Sequence, residues 1–122
     1  MDVGGGTMSK EMIMEIFRAV DAREWKDLSK FFHAGAVYER PGYGPLVGFE
    51  RLLKFYQDER VVRDGKHFIE HIVVDGECAA CWGRFEGVLK DGSIVNERFA
   101  DVYTFAEGKV RTRRTHFYRP AM

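Results

Sequence analysis

The chain has 122 residues, of which 19 are Lys or Arg and 19 are Asp or Glu, so its formal net charge at neutral pH is zero. This length fits a single domain. Because nucleic acids and anionic membranes attract proteins with an excess of basic residues, the balanced charge argues against both as main partners. No apolar run approaches the roughly 18 residues of a membrane span. The polar segment 1–9, MDVGGGTMS, has no apolar core of a signal peptide, so we expect a cytoplasmic protein.

The beginning of the chain predicts a tail followed by a helix. Residues 1–8 are polar and glycine-rich and are expected to form a flexible tail, which leaves one domain over 9–122. Ser9 is a suitable N-cap residue for the helix. After it, apolar residues recur at the spacing of one helix face, at Ile13, Ile16, Phe17 and Val20.

Two further helices and a short strand are expected before residue 60. The second helix covers about 24–32 and the third about 49–56, each with apolar residues at helical spacing. An extended stretch lies between them over 36–40. It ends at the segment PGYGP, 41–45, because two prolines and two glycines in five residues interrupt regular structure.

The second half of the chain predicts a strand meander. Runs with many β-branched and aromatic residues follow Gly65, over 68–74, 78–89, 94–105 and 110–118. The dipeptides Asp-Gly, Asp-Gly and Glu-Gly separate them, and such dipeptides between strands indicate hairpins. Helices followed by an antiparallel sheet indicate an α+β fold.

The two cysteines, Cys78 and Cys81, stand in the segment CAAC. A redox pair of this spacing needs a helix N-terminus to lower its thiol pKa, and a zinc site needs further ligands. Here the segment belongs to a predicted strand, on which the two side chains point to opposite faces. We therefore expect ordinary core residues, and neither a metal nor a cofactor.

Several segments together resemble one family. They are WKDLSKFFHAGAVYERPGYGPLVG (25–48), FERLLKFY (49–56), ACWGRFEG (80–87) and FADVYTFAEGKV (99–110). With the order of elements, they are similar to the nuclear transport factor 2-like superfamily, in particular to the group of SnoaL-like polyketide cyclases, ketosteroid isomerase and limonene epoxide hydrolase. The resemblance implies a cone, in which a curved antiparallel sheet wraps around three N-terminal helices and leaves a pocket at its open end. It also implies a homodimer formed through the outer face of the sheet.

Strand alternation groups the charged residues but does not say which face is internal. Asp101 shares a face with Phe99, and Arg84 shares one with Trp82 and Glu86. The resemblance implies that both sets, together with Arg113, line the cavity. Buried charges must be paired, so we expect the pairs Arg84–Glu86 and Asp101–Arg113. These pairs form either a structural network or a pocket of general acids and bases.

The ketosteroid isomerase pattern is matched only in part. Its catalytic Asp falls on Arg40, just before Pro41, and its oxyanion-hole Tyr falls on Ile16. Its oxyanion-hole Asp is matched by Asp101 and a supporting Tyr by Tyr56. An enzyme of that specificity is therefore not expected.

The limonene epoxide hydrolase pattern is also matched in part. Its Arg-x-Asp pair is matched by Arg84-x-Glu86 and its water-positioning Tyr by Tyr38. Its remaining Asp falls on Thr115 and its Asn on Arg40. The resemblance to SnoaL-like cyclases implies that an acid near Asp101 transfers the proton.

These comparisons of residues predict a small-molecule enzyme of cyclase, isomerase or epoxide-opening type, using cofactor-free acid–base catalysis in secondary metabolism. The expected catalytic residues are Asp101, Glu86 and Arg84. The residues expected to bind an apolar or polyketide-like substrate are Tyr38, Arg40, Tyr56, Trp82, Phe99, Arg113 and Phe117. His67, at a strand start, is expected to be exposed. The alternative is a non-catalytic module for ligand binding or dimerisation, in which the ion pairs are structural.

Overall fold

The structure, a computed structural model, describes residues 3–119, with side chains from Ser9 onward. It contains two α-helices, α1 (Val3–Asp21) and α2 (Phe49–Lys54), with a 3-10 helix (Trp25–Lys30) between them and a π-helical turn (Phe55–Glu59) after α2. The six strands are β1 (Phe32–Glu39), β2 (Leu46–Val47), β3 (Val62–Asp75), β4 (Cys78–Leu89), β5 (Ile94–Ala106) and β6 (Lys109–Phe117). The predicted α+β class and the order of its elements are confirmed.

Helix α1 begins earlier than the sequence predicted. Ser9 lies inside the helix instead of capping it. Of the tail expected over 1–8, residues 1 and 2 lie outside the described residues and the others belong to this helix. The predicted apolar face is confirmed, because all four of its side chains are buried, namely Ile13, Ile16, Phe17 and Val20.

The strands form one curved, unclosed sheet in the order β2-β1-β6-β5-β4-β3. Strands β3 to β6 are an antiparallel meander, as predicted. Strand β1, however, pairs with β6 in parallel, so the sheet is mixed. Sequence periodicity does not contain this information, because the partner of β1 lies at the other end of the chain.

Two features of the meander shape the concave face. The turns between its strands use glycines with positive φ, at Gly76, Gly92 and Gly108, which confirms the three predicted hairpins. Register shifts interrupt the pairing of β3 with β4 and of β5 with β6, and such bulges bend and twist a sheet. The concave face packs on α1, where the rings of Phe17 and Phe99 lie 5.6 Å apart.

Among residues 3–119, none of the helices combines the length and apolarity that crossing a membrane requires.

Candidate functional site

A small cavity with both polar and apolar walls lies between the concave face of the sheet and the helices. Its volume is about 40 Å³, which is room for roughly three water molecules. Side chains from α1, the π-helical turn and every long strand line it: Phe17, Tyr38, Arg40, Tyr56, Arg60, Val62, His67, Phe85, Phe99, Asp101, Arg113, Thr115 and Phe117. Of the ten predicted site residues, seven are in this set.

Asp101 and Arg113 form a buried ion pair at the bottom of the cavity. Their side chains are 1% and 4% exposed. The predicted pair is confirmed: Arg113 Nε and Nη2 lie 3.1 and 2.8 Å from Asp101 Oδ2. Burial by itself lowers the pKa of Arg113, but the charge of Asp101 and the surrounding tyrosines raise it well above the ordinary value. The guanidinium therefore remains charged although it is buried.

The carboxylate of Asp101 has hydrogen bonds on both oxygens. Besides Arg113, its Oδ2 accepts a bond of 3.2 Å from the hydroxyl of Tyr103, and its Oδ1 accepts one of 2.6 Å from Thr115. Strand register explains the cluster, since Asp101 is paired with Thr115, and Tyr103 with Arg113, across β5 and β6. Arg113, Tyr103 and Thr115 together thus occupy both oxygens of the carboxylate.

The directions of these hydrogen bonds fix where the hydroxyl protons lie. Thr115 has one proton, which it donates to Asp101, because an ionised carboxylate can only accept. Tyr38, whose hydroxyl lies 2.8 Å from Thr115 Oγ1, must therefore donate to Thr115. Arg40 Nη1 donates to the Tyr38 oxygen at 3.5 Å. The proton of Tyr38 is thus already used within the protein.

Tyr56 is the hydroxyl that keeps a proton available. Its oxygen accepts a bond of 2.9 Å from Arg113 Nη1, and its own proton has no acceptor among the described residues. Burial raises the pKa of Tyr56, with the charge of Arg113 acting in the opposite direction. Tyr56 therefore stays protonated at neutral pH and can donate to a ligand in the cavity.

His67 and Asp21 form a second polar pair at the cavity wall. His67 Nδ1 lies 2.6 Å from Asp21 Oδ1, and the backbone N–H of His67 donates to Asp21 Oδ2 at 2.9 Å. Burial lowers the pKa of His67, and the bond to Asp21 partly opposes this effect. The ring is therefore neutral at neutral pH, with its proton on Nδ1 facing Asp21 and an unprotonated Nε2.

The aromatic surroundings of His67 hold its ring in place. The rings of Phe17, Phe85 and Phe99 lie 4.7, 4.6 and 5.4 Å from it. Its side chain is 12% exposed, so the expectation that His67 is exposed was wrong. A sequence signal for this pair is lacking, because 46 residues separate Asp21 from His67.

A family model described as a SnoaL-like domain matches residues 13–112. The chain belongs to the SnoaL-like domain family. Its resemblance to this group, inferred from the sequence, is thereby confirmed. No curated protein matches the sequence.

Solved structures share the fold of this SnoaL-like domain at low sequence identity. A candidate SnoaL-like polyketide cyclase from Jannaschia sp. CCS1 has a TM-score of 0.81 at 16% identity, over 93% of this chain and 87% of its own. An LEH-like epoxide hydrolase from M. tuberculosis has a TM-score of 0.80 at 15% identity, over 92% and 84%. An NTF2-like protein of unknown function from Burkholderia pseudomallei has a TM-score of 0.81 at 15% identity, over 90% of both chains. At these identities the likeness concerns the fold.

Three predicted site residues of the SnoaL-like domain lie outside the cavity. The structure places Trp82, Arg84 and Glu86 on the outer face of the sheet, where the side chains of Arg84 and Glu86 are 42% and 46% exposed. The two residues do pair, at 2.9 Å, but the expectation that they line the cavity was wrong. The reason is strand register: Asp101 is opposite Cys81, so the odd-numbered residues of this part of β4 are internal.

The two cysteines of the SnoaL-like domain point to opposite faces of β4, as predicted. Cys81 is buried, but Cys78 is exposed, so the expectation that both are core residues was wrong for Cys78. Both are free thiols. Burial raises the pKa of Cys81 to about 12. Within residues 9–119, no three His, Cys, Asp or Glu side chains are grouped closely enough to hold a metal ion.

Proposed function

We propose that this SnoaL-like domain is an enzyme that moves a proton on a small carbonyl compound, as an isomerase or a cyclase does, without a cofactor. The observation that carries the proposal is the bond of 2.6 Å between His67 Nδ1 and Asp21 at the cavity wall. A carboxylate on Nδ1 fixes the tautomer of a histidine and stabilises the cation that forms when Nε2 takes a proton. The lowered pKa of His67 keeps the ring neutral and able to act as a base.

Tyr56 supplies the second group that such a reaction requires. Removal of a proton from a carbon beside a carbonyl leaves negative charge on the carbonyl oxygen. A buried hydroxyl with an available proton stabilises this charge by donating to it. Tyr56 has that proton, and its oxygen accepts a hydrogen bond of 2.9 Å from Arg113 Nη1.

The steps balance in protons and electrons. His67 Nε2 takes a proton from the carbon, and the C–H electrons form an enolate, whose oxygen Tyr56 binds. In an isomerisation, the protonated His67 returns the proton to another carbon of the enolate. In a cyclisation, the enolate carbon attacks a second carbonyl of the substrate, and His67 gives its proton to the resulting alkoxide.

Asp101 remains the competing candidate for the acid or base. Its position in the cavity supports this role, but both of its oxygens already accept hydrogen bonds. The carboxylate is therefore fully used in contacts within the protein. We propose that Asp101 instead positions Arg113, and through it Tyr56. The outer location of Arg84 and Glu86 removes them from the reaction and disfavours the epoxide-opening variant.

Exchange of carbon-bound protons in D₂O tests the proposal. ¹H NMR would follow the α-protons of a panel of small ketones, 1,3-diketones and keto acids in the presence of the protein. His67→Gln should reduce the exchange rate about 100-fold or more, which is the usual contribution of a general base. Tyr56→Phe should reduce it by a similar factor, as expected for loss of an oxyanion donor. The matched control is His116→Gln, an exposed histidine on the outer face of β6, which should leave the rate unchanged.

Two outcomes contradict the assignment in different ways. If Asp101→Asn abolishes exchange while His67→Gln leaves it unchanged, Asp101 is the base. If the protein does not accelerate exchange on any compound of the panel, the enzyme proposal fails and the non-catalytic binding module is favoured. One observation favours that alternative: the cavity of about 40 Å³ does not hold a whole polyketide-like substrate without opening.

We also propose that the protein is a cytoplasmic homodimer that associates through the outer face of its sheet. Large apolar side chains on this face are exposed, with Trp82 at 39% and Val73 at 53%. Light scattering would detect the dimer, and Trp82→Glu should convert it to a monomer. A monomeric wild-type protein would contradict this proposal.

A further inference from the structure

The arginines of the cavity are not all matched by carboxylates. Arg40, Arg60 and Arg113 line it, and Asp101 pairs with Arg113. Among residues 9–119, no carboxylate forms an ion pair with Arg40 or Arg60. Asp21 is near this set, but it is bonded to His67. Three guanidiniums thus face two carboxylates, both of which already have partners.

Arg40 has a buried donor that is not used. Its Nε is buried and has no hydrogen-bond partner. Its one hydrogen bond to a described residue, from Nη1 to Tyr38, has the long distance of 3.5 Å. The guanidinium otherwise lies over aromatic rings, 5.0 Å from Phe55 and 5.5 Å from Phe117. Buried polar groups without a partner are rare in proteins, and one at a cavity indicates a missing hydrogen-bond acceptor.

Arg60 is the second cavity arginine without an ion pair among the described residues. It follows the π-helical turn, and its backbone N–H donates to Phe55 O at 2.8 Å, which fixes the start of its side chain. Its guanidinium lies 5.6 Å from the rings of both Tyr56 and Phe85 and has no hydrogen-bond acceptor among the described residues. Burial lowers the pKa of Arg60, and the nearby Asp21 opposes this effect only in part.

We propose that the cavity binds a carboxylate group of its ligand between Arg40 and Arg60. A carboxylate has two acceptor oxygens in one plane, which match the parallel N–H groups of a guanidinium. It also supplies an acceptor for the Arg40 guanidinium, whose one hydrogen bond to a described residue is 3.5 Å long, and its size fits the roughly three-water volume of the cavity. The further claim that the substrate is a carboxylic acid rests on the proposed function. The binding of a carboxylate in the cavity does not depend on it.

An NMR titration at constant pH and salt tests the inference. Acetate and benzoate would be added to ¹⁵N-labelled protein, and their neutral counterparts acetamide and benzamide would be added in parallel. The Arg40 Nε–Hε resonance should shift in a saturable way with the carboxylates. Affinity for the amides should be at least tenfold lower, because they bring no charge to the guanidiniums.

Variants of Arg60 separate its role in binding from a general effect of charge. Arg60→Gln should weaken carboxylate binding at least tenfold, and Arg60→Lys should weaken it less, because it keeps the charge. The matched control is Arg84→Gln, which removes the same charge from the outer face and should leave binding unchanged. Equal binding of benzoate and benzamide would overturn the inference, and so would an Arg60→Gln variant that is folded and binds benzoate like the wild type.

His67→Gln distinguishes a failure of this inference from a failure of the proposed function. If the variant binds benzoate normally but no longer catalyses exchange, both stand. If the wild type binds benzoate but exchanges no α-proton, the carboxylate site stands and the proposed function fails. If exchange is catalysed on neutral ketones and no carboxylate binds, the proposed function stands and this inference fails.

Discussion

Two ion pairs of the sheet have the same chemistry and opposite environments. Arg113–Asp101 lies inside the concave face with its side chains 4% and 1% exposed, whereas Arg84–Glu86 lies on the outer face at 42% and 46%. The distances are nearly equal, 2.8 and 2.9 Å. Because water screens the outer pair, its attraction stabilises the fold little. Water does not screen the inner pair. Removal of either partner would leave the other charge buried without compensation, so each partner depends on the other. Contact distance alone therefore does not measure the importance of an ion pair.

Removal of Asp101 should produce the largest effect. Asp101→Ala leaves Arg113 buried without its counterion, and we expect the free energy of unfolding to fall by about 3–5 kcal/mol. Urea denaturation followed by circular dichroism would measure this loss. Thr115→Val is the control within the same cluster, because it removes the two hydrogen bonds of the Thr115 hydroxyl, to Asp101 and from Tyr38, and keeps the charges. It should cost less, about 1–3 kcal/mol. An Asp101→Ala variant as stable as the wild type would show that the buried pair is not required.

The His67–Asp21 pair should make stability depend on pH in the mildly acidic range. The pKa of His67 is lowered in the folded state, so the unfolded state takes up a proton first as the pH falls below about 6.5. The contribution of His67 to the free energy of unfolding is thus complete above that pH. It is lost as the pH falls toward the pKa of His67 in the folded state. Melting temperatures between pH 7.5 and 5 would show the decline, which should be smaller in His67→Gln. An unchanged profile in that variant would assign the decline to other groups.

The outer pair should produce the smallest effect. We expect Arg84→Ala and Glu86→Ala each to change the free energy of unfolding by less than about 1 kcal/mol, as is usual for exposed pairs. The same urea experiment measures it. The double variant should show a coupling energy of about 0.5 kcal/mol or less. A loss of several kcal/mol would contradict this expectation and would mean that Arg84 and Glu86 are shielded from water in solution.

The resemblance to the SnoaL-like group predicted the inner pair, because it implies that Asp101 and Arg113 both line the cavity. Alternation on β5 and on β6 grouped Asp101 with Phe99 and Arg113 with Thr115, and each group includes buried residues. The same rule grouped Arg84 with Glu86 correctly but did not fix their side of the sheet. A shift of one residue in register moves every side chain of a strand to the other face. The pairing of Cys81 with Asp101 determines that register.

The proposed catalytic pair was not predictable from local pattern. Asp21 ends α1 and His67 is within β3, so their contact depends on how the helix packs on the sheet. Tyr38 similarly reaches Thr115 because β1 pairs in parallel with β6. These contacts link segments that are far apart in the chain, and a periodic pattern in either segment carries no information about the other.

The sequence by itself determined the order of the elements, the apolar face of α1 and the three hairpins. All of these depend on periodicity or turn chemistry within a few residues of the chain. Only the tertiary structure decided which face of β4 is internal, where β1 joins the sheet and which groups meet at the cavity. The physical reason is that burial is a property of the assembled sheet and helices, so a residue's environment depends on neighbours that its own segment does not specify.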